Sequence, residues 1–456
     1  MRFSSLTVVG ATLIAVAACT KSEGNRADTS STTAKSTAGA AACASDNGGI
    51  TLPAGFCAVV FADSLGHVRD IAVNSNGDVY VNTWSGPYYQ GPTHPGGFLV
   101  ALRDTNNDGK ADVIRRFGPD AQQRNGGGTG IGIYKGAVYA EEGDTISKRI
   151  VRYAISTDSM TPTAASELIV DRLPATTDHP MHPFVIDAGG NLYMDVGSAS
   201  NSCQRKNRTL NSPGIQGCPE LQTRAGIWKY DANKTNQRFS PAERYATGIR
   251  NAVGIAVNGS GQLYSTQHGR DQLFDNWPKL YTSDQGQNLP AEELLRIDQG
   301  DDYGWPYCYF DNQQQKLVLA PEYGGDGKMV GQCASKKAPE AFFPAHWAPD
   351  GLMFYTGSMF PAHYKDGAFI AFHGSWNRAP GPQGGYNVSF VPYSGGKPVD
   401  ASKYEVFADG FAGATKQPDR ATHRPTGLAQ APDGALYIAD DKGGRVWKVV
   451  YRGNTK

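Results

Sequence analysis

The stretch "TGIRNAVGIAVNGSGQLYSTQHGR", residues 247–270, has the pattern of a β-hairpin. Two apolar runs, "VGIAV" and "QLYST", are separated by the Gly-containing turn "NGSG". The same pattern, in which the second strand mostly carries a Tyr, recurs along the chain and predicts an all-β fold. The six hairpins begin at Arg69, Gly130, His182, Asn251, Asp350 and Arg424.

The spacing of the hairpins predicts the architecture. They lie roughly 50 to 100 residues apart, with irregular insertions between them. Long segments with helical spacing are scarce, while 55 Gly and 27 Pro residues supply many turns. We therefore expect a six-bladed β-propeller, in which four-stranded sheets repeat around a central channel.

The flanks of the hairpins carry most of the chemistry. If each hairpin is the inner pair of strands of a blade, the residue before its first strand and the residue after its second strand lie on one face of the propeller. Clustered cations without a counter-anion repel one another, so the pattern predicts that a polyanionic ligand binds on this face. Trp84 could add a stacking surface. The preceding residues are Arg69, His179 with His182, Arg250 with Asn251, His346, and His423 with Arg424, while the second repeat offers Gly126, Gly127 and Gly128. The following residues include Asp195, Gln267, His268, Gly269, Arg270, His373, Ser375, Asn377, Arg378, Asp440 and Asp441.

Overall charge points to no nucleic-acid partner. Lys plus Arg and Asp plus Glu number 43 each, so the chain has no net field that would attract a polyanion. Any electrostatic recognition must therefore be local.

The first 42 residues are expected to be a targeting segment and a tether. Residues 1–18 have the arginine, the apolar run and the small residues of a signal peptide, and "VAAC" ending at Cys19 resembles a bacterial lipobox. Residues 19–42 have almost nothing to bury and are expected to be disordered. This pattern predicts lipid anchoring in a bacterial cell envelope, on the periplasmic side of the outer membrane; the alternative is an ordinary secretory signal. The folded catalytic domain would then span residues 43–456.

Cysteine usage agrees with an oxidising compartment. Without Cys19, six cysteines remain of the seven, and an even number is typical of disulfides. The sequence leaves the pairing open, and neighbours in the chain are the preferred partners, each closing a loop worth about 3 kcal/mol. The expected pairs are Cys43 with Cys57, Cys203 with Cys218, and Cys308 with Cys333.

Five motifs together carry a family resemblance over most of residues 50–450. They are "GIRNAVGIAV", "STQHGRDQL", "GDDYGWPYC", "AFHGSWNR" and "RPTGLAQAPDGALYIADD". In order and position they resemble the soluble quinoprotein glucose/sorbosone dehydrogenases and the related fungal pyranose dehydrogenases. That resemblance implies a six-bladed propeller that holds pyrroloquinoline quinone (PQQ), a tricarboxylate ortho-quinone, commonly with a Ca²⁺ ion beside it.

The resemblance also implies roles for individual residues. His179 resembles the general base that takes the hydroxyl proton of a sugar while hydride passes to the quinone. His182 stays open as the alternative base. Arg250 resembles the arginine facing the reactive quinone carbonyl, with Asn251 at the same edge. The backbone carbonyls of Gly269 and Arg270 resemble the Ca²⁺ site, and Arg424 resembles a clamp for a cofactor carboxylate, with Arg69 and Arg378 as further candidates.

The segment "DTNNDGKAD", residues 104–112, is a second candidate calcium site. Its Asp104, Asn106, Asp108 and Asp112 alternate around Gly109, as oxygen ligands do in calcium loops. Position 12 of the pattern is Arg115 rather than Glu, so the loop is incomplete as an EF-hand. The alternative is a turn rich in Asp and Asn.

The sequence thus predicts a PQQ- and Ca²⁺-dependent sugar dehydrogenase. Its partners would be a sugar substrate and an unidentified electron acceptor, with no nucleic acid and with the membrane reached only through the lipid anchor. A propeller lactonase or similar metal hydrolase is one alternative, although an arginine-rich site opposes cation binding. A non-catalytic binding propeller is another, and in it His179 would be dispensable.

Overall fold

The computed structural model describes residues 43–83, 96–119, 128–143, 147–175 and 178–453. These residues belong to one compact unit. The predicted signal peptide and tether lie outside the described residues, as do Trp84, Gly126 and Gly127. None of the helices in the described segments has the length and apolar character needed to cross a membrane.

The fold is a six-bladed β-propeller, as the repeats predict. Each blade is an antiparallel sheet of four strands, and each predicted hairpin forms the first two strands of its blade. Blades I and II contain Val68–Val73, Val79–Thr83, Leu99–Arg103 and Val113–Phe117, then Ile131–Tyr134, Ala137–Gly143, Ser147–Ala154 and Glu167–Pro174, with Gln237–Arg238 added to the edge of blade II. Blades III and IV contain Phe184–Ile186, Asn191–Val196, Gly226–Asp231 and Arg244–Thr247, then Ile255–Val257, Leu263–Gln267, Glu292–Ile297 and Ala341–Phe343. Blades V and VI contain Pro349–Phe354, Ala368–Phe372, Asn387–Val391 and Glu405–Ala408, then Pro425–Gln430, Leu436–Asp440, Val446–Tyr451 and Phe56–Ala62.

Local sequence explains why the hairpins form. In five blades a glycine with positive φ occupies the turn between the first two strands, a conformation that costs glycine little. The turn of blade V instead places Asp366 at φ 61°. The aromatic residue near the middle of each second strand is buried between blades, which sets the register of the hairpin. The glycines are Gly77, Gly136, Gly190, Gly261 and Gly434, and the aromatic residues are Tyr80, Tyr139, Tyr193, Tyr264, Phe369 and Tyr437.

The ring is closed by the amino-terminal strand. Phe56–Ala62 pairs antiparallel with Val446–Tyr451, so both ends of the propeller share blade VI. Thr426 also donates a hydrogen bond to the carbonyl of Val68 in blade I, at 2.8 Å. The amino-terminal strand thereby supplies the outer strand of blade VI and holds the ring closed.

Polar side chains tie neighbouring blades together at the second strand. Asn82 donates to the carbonyl of Gly130 at 2.9 Å, and Thr266 donates to that of Pro349 at 2.7 Å. Glu141 accepts from the backbone amide of His182 at 3.1 Å. These contacts hold the segments before each first strand in fixed positions, and these segments carry the predicted functional residues.

Long insertions in blades III and IV extend the propeller. They contain the two short helices Leu273–Asn276 and Ser283–Asn288 and a hairpin formed by Cys308–Asp311 and Lys316–Leu319. Further small elements are the pair Tyr393–Ser394 and Lys397–Pro398 and the 3₁₀ turns Asn47–Gly49, Pro219–Gln222, Pro241–Glu243, Pro321–Tyr323, Gly331–Ser335 and Ala362–Tyr364. All three predicted disulfides are confirmed: Cys43–Cys57, Cys203–Cys218 and Cys308–Cys333.

Candidate functional site

A cavity of about 440 Å³ lies where the hairpin flanks meet. Its lining comes from segments far apart in the chain, before the first strands of blades I, III, IV, V and VI and after the second strands of blades IV and V. The structure therefore brings together ten residues singled out in the sequence: Arg69, His179, Arg250, Asn251, His268, Gly269, His346, His373, Asn377 and Arg424.

His179 is a buried imidazole whose orientation is fixed. Its Nδ1 lies 2.9 Å from the carbonyl of Ser198 and 3.0 Å from the Ser198 hydroxyl. That hydroxyl donates its own proton to the carbonyl of Ser200 at 2.7 Å, so both oxygens of Ser198 accept from an Nδ1–H. This tautomer leaves the lone pair on Nε2. Burial, followed by the charge of Arg250, holds the pKa of His179 well below its usual range, so the ring is neutral at pH 7.

His182 occupies a different environment. Its Nδ1 lies 3.0 Å from Oε1 of Glu141, and it is not part of the cavity lining. Lys148 lies 3.8 Å from the same carboxylate oxygen. Of the two histidines that the sequence left open as the base, only His179 faces the cavity.

Arg250 is buried and almost fully hydrogen-bonded. Its guanidinium donates to the backbone carbonyl and side-chain oxygen of Asn201, to the carbonyl of Gly269 and to Oδ2 of Asp271, at 2.9 to 3.0 Å. Four of its five N–H groups are thus engaged by protein. The side-chain amide of the adjacent Asn251 makes no hydrogen bond to the described residues, although the residue is only 5% exposed.

The expectation that the cations lack counter-anions is wrong. Arg69 lies 3.0 Å from Asp350 and 2.5 Å from Asp441, and Asp271 pairs with Arg250 at 3.0 Å. Burial disfavours these charged carboxylates, but the neighbouring Arg and His side chains outweigh it and lower the pKa of all three below the usual range. The arginines are thus fixed by the protein itself, because the acidic residues fold opposite them.

Arg424 differs from the other arginines of the cavity. Its guanidinium donates to the carbonyls of His373 and Gly374, at 3.0 and 2.9 Å, and forms no ion pair among the described residues. Backbone carbonyls orient this side chain without neutralising it. Arg424 therefore supplies a cavity cation that makes no direct ion pair with a described carboxylate, although its charge helps to lower the pKa of Asp441.

Arg378 is not placed where the sequence suggested. It does not line the cavity, and its guanidinium donates to the carbonyls of Gln287 and Ala345 at 2.7 and 2.9 Å and to Asn288. Its donors brace the loop that follows the second strand of blade V.

The predicted calcium positions are not arranged as open oxygen sites. The carbonyl of Gly269 accepts from Arg250, and the Arg270 side chain pairs with Glu322 at 2.5 Å outside the cavity. In the loop at residues 104–112, Asp104 accepts from the backbone amides of Asp108 and Gly109, Asp108 accepts from that of Lys110, and Asp112 accepts from Thr105. Within the described segments, one group of three ligand-type side chains comes within metal-binding distance, and it contains the Cys203–Cys218 disulfide with Glu220. Calcium at either position stays a prediction.

Asp271, Arg208 and Trp376 are among the cavity residues that the sequence analysis did not single out. Asp271 directly follows the "HGR" motif, and Arg208, on a disulfide-closed insertion, bridges Asp178 and Asp271 at 3.1 and 3.0 Å. Trp376 lines the cavity with 57% of its surface exposed. The position of Asp271 next to a predicted motif was a usable signal, whereas the insertion that carries Arg208 has no pattern of its own.

Two curated proteins are similar to part of this chain. The chain is 28% identical over 235 residues to the pyrroloquinoline quinone-dependent pyranose dehydrogenase of Coprinopsis cinerea, which covers 44% of this chain and 30% of that protein. An uncharacterised protein of Borreliella burgdorferi is 31% identical over 218 residues, covering 47% of this chain and 51% of that one. The chain thus spans about half of the length of one of these curated relatives and 30% of the other.

Solved structures show the same fold. A carbohydrate-active enzyme of family AA12 from Trichoderma reesei superposes with a TM-score of 0.70 at 19% identity, covering 88% of this chain and 98% of that one. The holo form of the PQQ domain of Coprinopsis cinerea pyranose dehydrogenase superposes with a TM-score of 0.67 at 20% identity, covering 88% and 97%. The family model described as TrAA12-like matches residues 50–452. The chain therefore belongs to the TrAA12-like family.

Proposed function

We propose that this protein is a PQQ-dependent sugar dehydrogenase. The observation that carries the proposal is that a neutral, oriented His179 shares one cavity with Arg250 and Arg424, which come from three different blades. The named relatives, a pyranose dehydrogenase that depends on this quinone and the AA12 enzyme, support the same reaction class.

The cavity residues fit a planar tricarboxylate. Arg424 carries a charge without a carboxylate partner, Asn251 has an amide without a partner among the described residues, and Arg250 keeps one N–H. The volume of about 440 Å³ lies in the range of small-molecule sites. When bound, the quinone would supply a hydride acceptor. Of the two carbonyls expected to hold Ca²⁺, that of Gly269 accepts one hydrogen bond from Arg250 and keeps its second lone pair.

The chain's own residues then have distinct tasks. Nε2 of His179 takes the proton of the sugar hydroxyl, since the Nδ1–H is held by Ser198. Arg250 and Asn251 would hold the reactive edge of the quinone, and Arg424 and Arg69, which line the same cavity, would hold its carboxylates. Asp271 keeps Arg250 in place through its 3.0 Å ion pair. These buried donors are oriented before any ligand arrives, so they need little rearrangement during reaction.

The hydrolase alternative finds less support in the site. A metal hydrolase needs carboxylates directed at a cation, but Asp271 and Asp350 are each paired with an arginine.

We further propose that Cys19 is acylated and holds the protein at the cell envelope. The electron acceptor is not identified by any contact in the cavity.

Quinone loading of the full chain tests the function. Purified apoprotein is titrated with PQQ, with and without Ca²⁺, and dye reduction is followed with a panel of sugars. We expect saturable quinone uptake and sugar-dependent turnover. Arg424→Ala should weaken quinone binding by roughly tenfold to a hundredfold, since one charge-assisted contact is lost. Arg152→Ala, which removes a surface arginine paired with Glu167, is the control. Absence of quinone uptake by the wild-type protein would refute the proposal.

A further inference from the structure

The segment of residues 198–203, which follows the second strand of blade III, contacts two of the candidate functional side chains. Ser198, at its start, contacts Nδ1 of His179 through both of its oxygens. Asn201, further along, accepts from Arg250 through its backbone carbonyl and its side-chain oxygen, at 3.0 and 2.9 Å. The two candidate side chains come from before the first strands of blades III and IV, so this short segment fixes them relative to each other.

Asn201 is fully buried, and each of its polar atoms is hydrogen-bonded. Its backbone amide donates to Oδ1 of Asn207, and its carbonyl also accepts from the indole of Trp305, both at 3.0 Å. Its side-chain amide makes two bonds with the backbone of Asp271, one donated to the carbonyl and one accepted from the amide, both at 2.9 Å. Asp271 in turn pairs with Arg250. Because a buried amide left without partners is costly, these contacts hold the side chain in one orientation.

A disulfide-closed loop fastens the segment. The Cys203–Cys218 disulfide lies at the carboxyl end of the segment, and Glu220 follows just beyond it. The carboxylate of Glu220 returns to the segment and accepts from the two backbone amides that precede Asn201, at 2.6 and 3.2 Å. Asn201 is therefore held from both sides by the same loop.

We propose that Asn201 is the positioning residue for Arg250, and that the Cys203–Cys218 disulfide holds Asn201 in the place where it can do so. Two of the four hydrogen bonds of the guanidinium go to Asn201, and a third goes to Asp271, which Asn201 also holds. Asn201 does not line the cavity, so it acts on a ligand through Arg250. The inference rests on the proposed function, because it concerns the arginine assigned to the quinone edge.

A double-mutant cycle on the full chain tests the positioning role. In the quinone-loaded protein, Asn201→Ala should lower kcat and the affinity for PQQ by about tenfold each, the scale of one hydrogen bond to a charged group. In the Arg250→Ala background, the same substitution should change each quantity by less than about twofold, because the side chain that Asn201 positions is gone. Asn387→Ala is the matched control, since it removes a 3%-exposed asparagine that accepts from Ser389 in blade V, and both quantities should stay at their wild-type values.

Removal of the disulfide tests its part in the proposal and leaves every group of Asn201 in the chain. Cys203→Ala combined with Cys218→Ala should lower kcat and PQQ affinity in the same direction as Asn201→Ala, by a smaller factor. The control is Cys43→Ala combined with Cys57→Ala, which removes a disulfide at the outer strand of blade VI. This control should lower the stability and leave PQQ affinity unchanged.

Three results would overturn the inference. They are wild-type kcat and PQQ affinity in Asn201→Ala, an equal loss in the Arg250→Ala background, and wild-type values after removal of the Cys203–Cys218 disulfide. A wild-type chain that takes up no quinone would refute the dehydrogenase, and the coupling would then be measured by urea unfolding of the apoprotein. There Asn201→Ala and Arg250→Ala together should destabilise the chain by less than the sum of their separate effects, and additive effects would refute the positioning role.

Discussion

His179 and His182 stand three residues apart before the same strand, yet the structure gives them opposite environments. His179 faces the cavity, and its Nδ1 lies against the uncharged oxygens of Ser198. His182 is 1% exposed and pairs with the carboxylate of Glu141. The hydrogen-bond partner of each imidazole determines whether that imidazole can act as a base.

A histidine held by uncharged oxygens stays neutral and keeps a basic lone pair for a ligand. A histidine held by a buried carboxylate joins two blades, because Glu141 belongs to blade II while His182 precedes blade III. Within this short segment, His179 is therefore the candidate base, and His182 stabilises the contact between two blades.

The largest effect should follow the loss of His179. In the loaded enzyme, His179→Ala should lower kcat by about 10² to 10⁴, the usual contribution of a general base, with quinone affinity retained. Steady-state dye reduction and a separate quinone titration measure the two quantities. His363→Ala, which changes an exposed histidine paired with Glu405, is the control. Unchanged turnover in His179→Ala would remove the role assigned to this residue.

The second effect concerns stability. At pH 7, His182→Ala should lower the free energy of unfolding by roughly 3 kcal/mol, because it removes the imidazole that pairs with Oε1 of the buried Glu141 and leaves Lys148 3.8 Å from that oxygen. Urea unfolding followed by fluorescence measures it, and His363→Ala, at an exposed pair, should cost less than about 1 kcal/mol. Loss of turnover in a variant of normal stability would mean that His182 acts in catalysis.

The destabilisation caused by His182→Ala should depend on pH in a defined direction. Burial opposes the charge of Glu141, but Lys148 and His182 outweigh it and lower its pKa from 4.5 to about 2. A carboxyl whose pKa is lower in the folded state stabilises the fold above its unfolded pKa, and this stabilisation is lost as the pH falls from 4.5 towards 2. The penalty of His182→Ala should shrink over that interval, where Glu141 becomes protonated. A penalty that stays constant from pH 7 to 2 would contradict the pairing.

The sequence was sufficient for the fold because the propeller repeats a local pattern. Alternating strands, glycine turns and a buried aromatic residue occur within each hairpin, so six local signals specify six blades. The positions of His179, Arg250 and Arg424 in one cavity followed from that repetition. Disulfides between cysteines near in the chain were predictable for the same reason.

Contacts between side chains that are far apart in the chain could not be predicted from the sequence. Arg69 meets Asp441 across 372 residues, and nothing local marks the two as partners. Arg378 carries the same charge as Arg424, but its guanidinium donates to the carbonyl of Gln287 and to the side chain of Asn288 at the end of a short helix. A cation predicted from its place in the chain can thus be structural or functional, and its partners decide which.

The smallest effect should come from Ser198, which positions the base. Ser198→Ala removes the hydroxyl 3.0 Å from Nδ1 of His179 and keeps the backbone carbonyl at 2.9 Å. Loss of one such contact is worth about 0.5 to 1.5 kcal/mol, so kcat/KM should fall about twofold to tenfold. Because burial and Arg250 still lower the pKa of His179, the fall should be of similar size at every pH from 6 to 9. A matched control is Ser389→Ala, which removes a buried hydroxyl bonded to Asn387 in blade V. A loss as large as that of His179→Ala would show that the carbonyl alone cannot hold the ring, and that the hydroxyl is the contact that makes His179 differ from His182.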